Sequence, residues 1–332
     1  MKFGAIIGAI GGLALSAWLL ESYGIARIFG LLRHAGWAGV LAVIAVHLPQ
    51  MLLSALGWRA IAGPAVAQPS LRAYLELRWV REAVNNLLPL AQIGGEVAVS
   101  RLLKQRGVKL AAAIAGTVAD LTVETVTQIL FTVLGLILLL QAVGHSLLAG
   151  YILSGLAVAS LTVAGVLGAL WMGLAGVIER GLMRLGRWMG WAGTAHVLGL
   201  HEALMRCYRA PGRVALSALW HMMSWLLGGI EVCLALHFLG HDVSIGAGLI
   251  IESLGQAAKT AGFAVPGALG VQEGGYILTA QALGLPPEVA IALSLMKRLR
   301  ETALGVPGLM FWQHTETRAA TAPADSVAGV SR

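Results

Sequence analysis

From Thr125 to Ile178 the chain runs for 54 residues without an aspartate, glutamate, lysine or arginine. A helix crosses the hydrocarbon core of a bilayer in about 20 residues. The stretch therefore holds two crossings, joined by a tight turn at Gly144-His145-Ser146. Inside a bilayer no water is available to the backbone, so only helices and closed barrels satisfy every amide and carbonyl. The apolar runs here are continuous rather than alternating, which selects helices. The composition agrees: 58% of the residues are hydrophobic and 12% are charged, against roughly 25% charged in an ordinary soluble domain. So little charge cannot coat a globule of 332 residues, which excludes a soluble two-domain enzyme. The predicted class is an all-α, polytopic integral membrane protein.

Six full spans follow, at about Phe3–Leu20, Trp37–Ile61, Val108–Leu140, Leu147–Val177, Val214–Leu239 and Pro287–Trp312. The first has Lys2 before it and lacks a small-residue cleavage site, so it reads as an uncleaved span rather than a signal peptide. Two other apolar stretches, Leu71–Gly107 and Ile245–Gly284, are interrupted by proline and glycine. Broken segments of this kind suit re-entrant helical hairpins that line a cavity, and two kinked spans in each stretch are the alternative. Arginine and lysine fall overwhelmingly on one side of this layout, including Arg59, Arg78, Arg81, Lys104 and Arg213, with Arg27 and Arg33 opposite. Such asymmetry places both termini in the cytoplasm. The net charge of +7 then serves topology and anionic lipid rather than nucleic acid. The segment 178–212 reads as a cytoplasmic basic amphipathic loop, and 314–332 as a disordered tail. Cys207 and Cys233 have no metal or disulfide spacing.

A shift of 177 residues lays the second broken stretch on the first without a gap. Pro89 falls on Pro266, Glu96 on Glu273, Gly107 on Gly284 and Glu124-Thr125 on Glu301-Thr302, and nine of 37 positions are identical. Units of about 1–140 and 147–312 each hold three crossings and one hairpin, within a single transmembrane domain covering 1–313. An odd number of crossings makes the two repeats inverted, an architecture in which substrate sites lie between the units near the membrane midplane.

A charge at the bilayer centre costs about 2.5–3.5 kcal/mol by insertion scales, so those present are paired or functional. Asp120 and Glu124 lie one turn apart in a span, and their repeat mates are Lys297 and Glu301. Opposite signs at mated positions predict an Asp120–Lys297 pair across the pseudo-twofold axis. Arg298 and Arg300, with Lys259, would form a cationic pocket for a phosphate; snorkelling at the end of a shorter last span is the other reading. Glu96 and Glu273 follow glycine-rich turns, where they either meet a ligand or cap the helix starts. Asn85, Asn86, Pro89, Gly94, Gly95, Pro266, Gly267 and Gly270 would build the hairpin tips. His47 and His221 would hydrogen-bond between spans. No zinc pair, phosphate loop or serine elbow occurs, so neither a metal, a cofactor nor a catalytic residue is expected.

The pairing of Asn85-Asn86-Leu87-Leu88-Pro89 and Gly94-Gly95-Glu96 with Pro266-Gly267-Ala268-Leu269-Gly270-Val271-Gln272-Glu273 resembles the lysylphosphatidylglycerol synthase transmembrane (flippase-like) family of bacterial membrane proteins. The likeness covers roughly residues 1–313. It implies a lipid-translocating module of the inner membrane; larger members add an aminoacyl-lipid synthase domain, which this chain lacks. The length also resembles the hopanoid-biosynthesis-associated subfamily, although no motif identifies a hopanoid. Three functions follow for testing. The first is a flippase-like protein moving an anionic or polar-headgroup lipid between leaflets. The second is a non-transporting scaffold for a lipid-biosynthetic enzyme. The third is an intramembrane enzyme using paired carboxylates.

Overall fold

The computed structural model describes residues 18, 21–63, 69–88, 94–143, 199–262, 265 and 268–321. The expected spans at Phe3–Leu20 (Trp18 aside) and Leu147–Val177 lie outside these residues. So do the turn at Gly144–Ser146, the loop up to 198, Pro89, Pro266, Gly267 and the tail from 322. All regular structure among the described residues is helical: α1 (Ile25–Ala62), α2 (Leu71–Leu87), α3 (Gly94–Gln105), α4 (Leu110–Val143), α5 (Leu200–Tyr208), α6 (Pro211–Phe238), α7 (Ile245–Ala261), α8 (Val271–Ala282) and α9 (Pro287–Thr321).

Three of these, α1, α4 and α6, are long and apolar enough to cross a membrane. They coincide with three of the spans read from hydropathy. α1 begins earlier than expected but is broken at Gly36, whose φ of 56° lies in the left-handed region that favours glycine. The apolar span proper starts one residue later, at Trp37, where the sequence placed it. α9 covers the expected last span and continues to Thr321, so helix occupies part of the segment read as tail. Glu316 anchors the added turn, accepting hydrogen bonds from Arg101 and Gln105 of α3.

The two broken stretches fold as helix pairs of matching size. α2 and α7 have 17 residues each, and α3 and α8 have 12 each. At 1.5 Å per residue a 12-residue helix is about 18 Å long, short of a hydrocarbon core of about 30 Å. Both pairs open on a serine whose hydroxyl accepts an amide from the first turn, Ser70 from Ala73 and Ser244 from Ala247. In the first pair, Asn85 accepts from the Gly95 amide at 2.8 Å, so its side chain holds the α3 start as expected of the tip asparagines. A methyl group on Gly95 would sit 2.6 Å from the Arg81 carbonyl oxygen. Only glycine lets the two helices come this close.

The neighbour pattern is the same in both halves. α2 packs on α3 and α7 on α8, while each hairpin's first helix also packs against the long helix of the other half, α2 on α9 and α7 on α4. α1 and α6 form the seam. There His47 Nδ1 lies 3.4 Å from Glu231, and Ser54 bonds Ser224 at 3.1 Å. The shift of 177 carries one of these contacts onto the other. As residue numbers rise along α1 they fall along α6, so these mates run antiparallel, as inverted units require. One apolar core gathers around Trp58, Tyr74 and Leu77, and a second around Ile28, Tyr276 and Leu293. Close helix contact through small residues assists both, as where Gly135 of α4 faces Ser253 of α7.

Candidate functional site

A cavity of about 320 Å³ lies at the seam, walled by α1, α2, α3, α4, α6, α7 and α9. Most of the residues lining it are polar or charged, which is costly in a membrane protein unless the groups are paired or used. Of the nine residues expected to bind substrate, Glu96, Glu124, Lys259, Arg300 and Glu301 line it, whereas Asp120, Glu273, Lys297 and Arg298 do not.

The first half organises its charges around an arginine. Arg81 of α2, 3% exposed, donates to Glu96 at 2.9 Å, to Asp120 at 2.7 Å and to Glu124 at 3.0 Å. It also lies over the Trp58 ring, 5.7 Å from its centroid. The other oxygen of Asp120 meets His221 of α6 at 2.9 Å. Arg78, one turn before Arg81, bridges Glu82 and Glu124, both at 2.8 Å. The sequence reading placed Arg78 and Arg81 among the cytoplasmic charges. The structure buries Arg81 and half-buries Arg78 at the cavity wall, where four carboxylates offset their desolvation.

In the second half the signs are reversed at the mated position. Lys297 of α9 donates to Glu252 of α7 and lies 3.7 Å from Glu231 of α6. Asp120 and Lys297 are therefore not partners. Each is satisfied instead by its hairpin helix and α6. Arg300 donates to Glu231 and to His47 and lies 3.7 Å from Glu301. Both nitrogens that Arg298 turns toward Glu273 reach the same oxygen at 2.7 Å. Lys259 donates to Glu301 at 2.7 Å and to Asn86 at 3.1 Å. The expected cationic phosphate pocket is thus corrected: Lys259, Arg298 and Arg300 each already hold a carboxylate. Snorkelling is also excluded for Arg300, which is 6% exposed. Glu273 caps its helix, accepting from the Gly270 amide at 2.7 Å, and takes Ser294 on its other oxygen.

Five ionisable residues of this constellation escaped the sequence reading as site candidates: Arg78, Arg81, Glu82, Glu231 and Glu252. Glu231 and Glu252 were detectable by the rule that singled out Asp120, since each is a lone acid in an apolar helix. The α2 residues carried no such signal, because several charges crowd Leu71–Leu87 and the asymmetry of basic residues assigned Arg78 and Arg81 to the cytoplasmic side. His47 and His221 do bond between helices, to Glu82 and Asp120. No cluster of metal-ligating side chains occurs among the described residues.

Chemically, the cavity wall alternates donors and acceptors instead of presenting one sign. Arg78, Arg81, Lys259 and Arg300 face Glu82, Glu96, Glu124, Glu252 and Glu301, with Gln128, Gln256 and Thr260 between them. Such a wall suits a polar, hydroxyl- or amine-bearing group better than a bare anion.

The family model of the lysylphosphatidylglycerol synthase TM region matches residues 4–308. A UPF0104 membrane protein of Methanothermobacter thermautotrophicus is 26% identical in an alignment covering 93% of this chain and 95% of that protein. No solved structure matches the chain.

Proposed function

Because the chain belongs to the lysylphosphatidylglycerol synthase transmembrane family, we propose that it admits the polar headgroup of a membrane lipid to the seam cavity and carries it between leaflets. The observation behind this reading is the cavity itself: a polar chamber walled by helices of both units inside a membrane protein. Its lining supports a headgroup rich in hydroxyl or amine groups, with Glu96, Glu124, Lys259, Arg300 and Glu301 in contact with it. Asp120, Glu273, Lys297 and Arg298 hold the lining in place from behind. The protein is a multi-pass resident of the bacterial inner membrane with both termini in the cytoplasm, in keeping with its charge asymmetry.

The relation between the units supports movement as well as binding. Inverted units with a site at their seam allow one unit to rock against the other around a fixed site. The test is a leaflet-resolved assay in proteoliposomes, in which fluorescent lipids of several headgroups become accessible to an impermeant quencher. Headgroup-selective exposure above that of protein-free vesicles is expected. Equal rates with and without protein for every headgroup tested would overturn the reading.

A further inference from the structure

A second recess, about 800 Å³ in volume, lies between α3, the first half of α4 and the end of α9. It meets the seam cavity at Glu96, which lines both. Ligand cavities run from about 300 to 1,000 Å³, so the recess holds a substantial part of a lipid. One wall is apolar and open, formed by Val97, 67% exposed, with Ile114 and Val118 of α4 facing it. In a bilayer, an apolar wall left open by the protein is bathed in acyl chains.

The other end is charged. Arg101 and Lys104 stand on the last turns of α3, and Leu110 beside them opens α4, whose amino-terminal amides carry partial positive charge. Lys104 makes no ion pair among the described residues. Arg101 is held at 2.9 Å by Glu316. The second carboxylate oxygen of Glu316 is buried and accepts no hydrogen bond. A lone buried acceptor beside two cations calls for a ligand with both an anion and a hydrogen-bond donor. The neutral polar groups of the recess are already engaged: Ser100 bonds Thr117 at 3.3 Å, and Gln105 donates to the first oxygen of Glu316 at 3.2 Å.

We propose that this recess is the lateral entry site for a glycerophospholipid. Its phosphate binds Arg101 and Lys104, a headgroup hydroxyl donates to Glu316, and an acyl chain lies along Val97, Ile114 and Val118. The site rests on the lipid-carrying reading above and adds to it a route. From Lys104 to Glu96 is about two turns of helix, roughly 12 Å. A headgroup therefore slides along α3 from the charged rim to the cavity while its chain stays in lipid. The division of labour is physical: the phosphate is met by cations at the rim, and the uncharged polar part by the neutralised chamber.

The experiment uses the full chain in phosphatidylcholine nanodiscs carrying a little phosphatidylglycerol with a diazirine in one acyl chain. Diacylglycerol with the same diazirine chain is the control. Photo-adducts are mapped by mass spectrometry on Ile114 and Val118, with the lipid-facing Leu130 and Ile137 of the same helix as background. Adducts at Ile114 and Val118 are expected to exceed background for phosphatidylglycerol and not for diacylglycerol. Arg101→Gln with Lys104→Gln should lower them about 25-fold, since each basic residue near anionic lipid contributes roughly a factor of five. Val97→Trp, which narrows the apolar wall without removing a charge, should also lower them. Labelling spread evenly over Ile114, Val118, Leu130 and Ile137, or unchanged in these variants, would overturn the site. The transport assay is read separately. Labelled recess without transport refutes the carrier reading alone, and transport without a labelled recess refutes the entry site alone.

Discussion

The two halves share a helical scaffold and invert its charges. In the first, a cation on the hairpin helix α2, Arg81, holds an anion on the long helix α4, Asp120. In the second, an anion on the hairpin helix α7, Glu252, holds a cation on the long helix α9, Lys297. Each pair leans on α6, through His221 in one case and Glu231 in the other. What the two halves have in common is a neutralised pair joining hairpin helix to long helix. The sign and the position along the helix are free. Both halves reach the cavity, through Arg78, Glu82 and Glu124 in the first and Glu252, Lys259 and Glu301 in the second, while Asp120, Glu231 and Lys297 lie behind its wall.

The most severe way to break the comparison is to remove the central cation of either half. Arg81→Gln leaves Glu96 and Asp120 without their shared cation, and Lys297→Met leaves Glu252 without its own, while Glu231 keeps Arg300. Each should cost about 3–5 kcal/mol, as expected when a buried pair loses one partner, read as thermal unfolding in detergent. Coupling sharpens the point. Asp120→Asn should be markedly sub-additive with Arg81→Gln, its partner, and additive within about 0.5 kcal/mol with Lys297→Met, which it does not touch. Strong coupling of Asp120 with Lys297 would show that the halves share one network.

Next is Gly95→Ala at the first hairpin. Its methyl would press on the Arg81 backbone, and overpacking of this kind costs about 1–3 kcal/mol. Unchanged thermal stability of the variant would contradict the contact. The cavity variants Lys259→Gln and Glu124→Gln should slow lipid movement about tenfold, equivalent to roughly 1.4 kcal/mol, in the quencher assay. Glu273→Gln, whose carboxylate lies off the cavity, should lower stability more than it slows movement. The smallest effect belongs to Gly274→Ala in α8, the mate of Val97. Nothing lies within 4 Å of the added carbon, and replacing a mid-helix glycine should stabilise by about 0.5–1 kcal/mol. A destabilised protein would mean that α8 packs there more tightly than α3 does.

Hydropathy carried most of the described fold. The spans at Trp37, Val108 and Val214 and the paired short helices were legible because lipid imposes one rule on every residue it touches. Asp120 and Glu124 stood out for the same reason. The partners did not. Arg81 sits in a stretch rich in charge, so no local contrast marks it as buried. Its three carboxylates come from α3 and α4, brought together by a turn that sequence locates but does not orient. The Asp120–Lys297 expectation failed in an instructive way: mated positions are equivalent, and equivalence is not proximity. At the seam, proximity pairs each residue with the mate of a different one, His47 with Glu231 and Ser54 with Ser224.

The crossed packing of the hairpins, α2 on α9 and α7 on α4, bears on how the protein is made. α4 follows α3 within a few residues, so Arg81 meets Asp120 almost as soon as both leave the ribosome. α9 begins 200 residues after the last residue of α2, a gap of about 10–40 s at 5–20 residues per second. For that interval the α2 face bearing Trp79, Ala83 and Leu87, which later receives Gly305 and Gly308 of α9, stands without its native neighbour. The nascent first half therefore has to be kept from other helices during synthesis, and its final fit is set only when the last helix arrives.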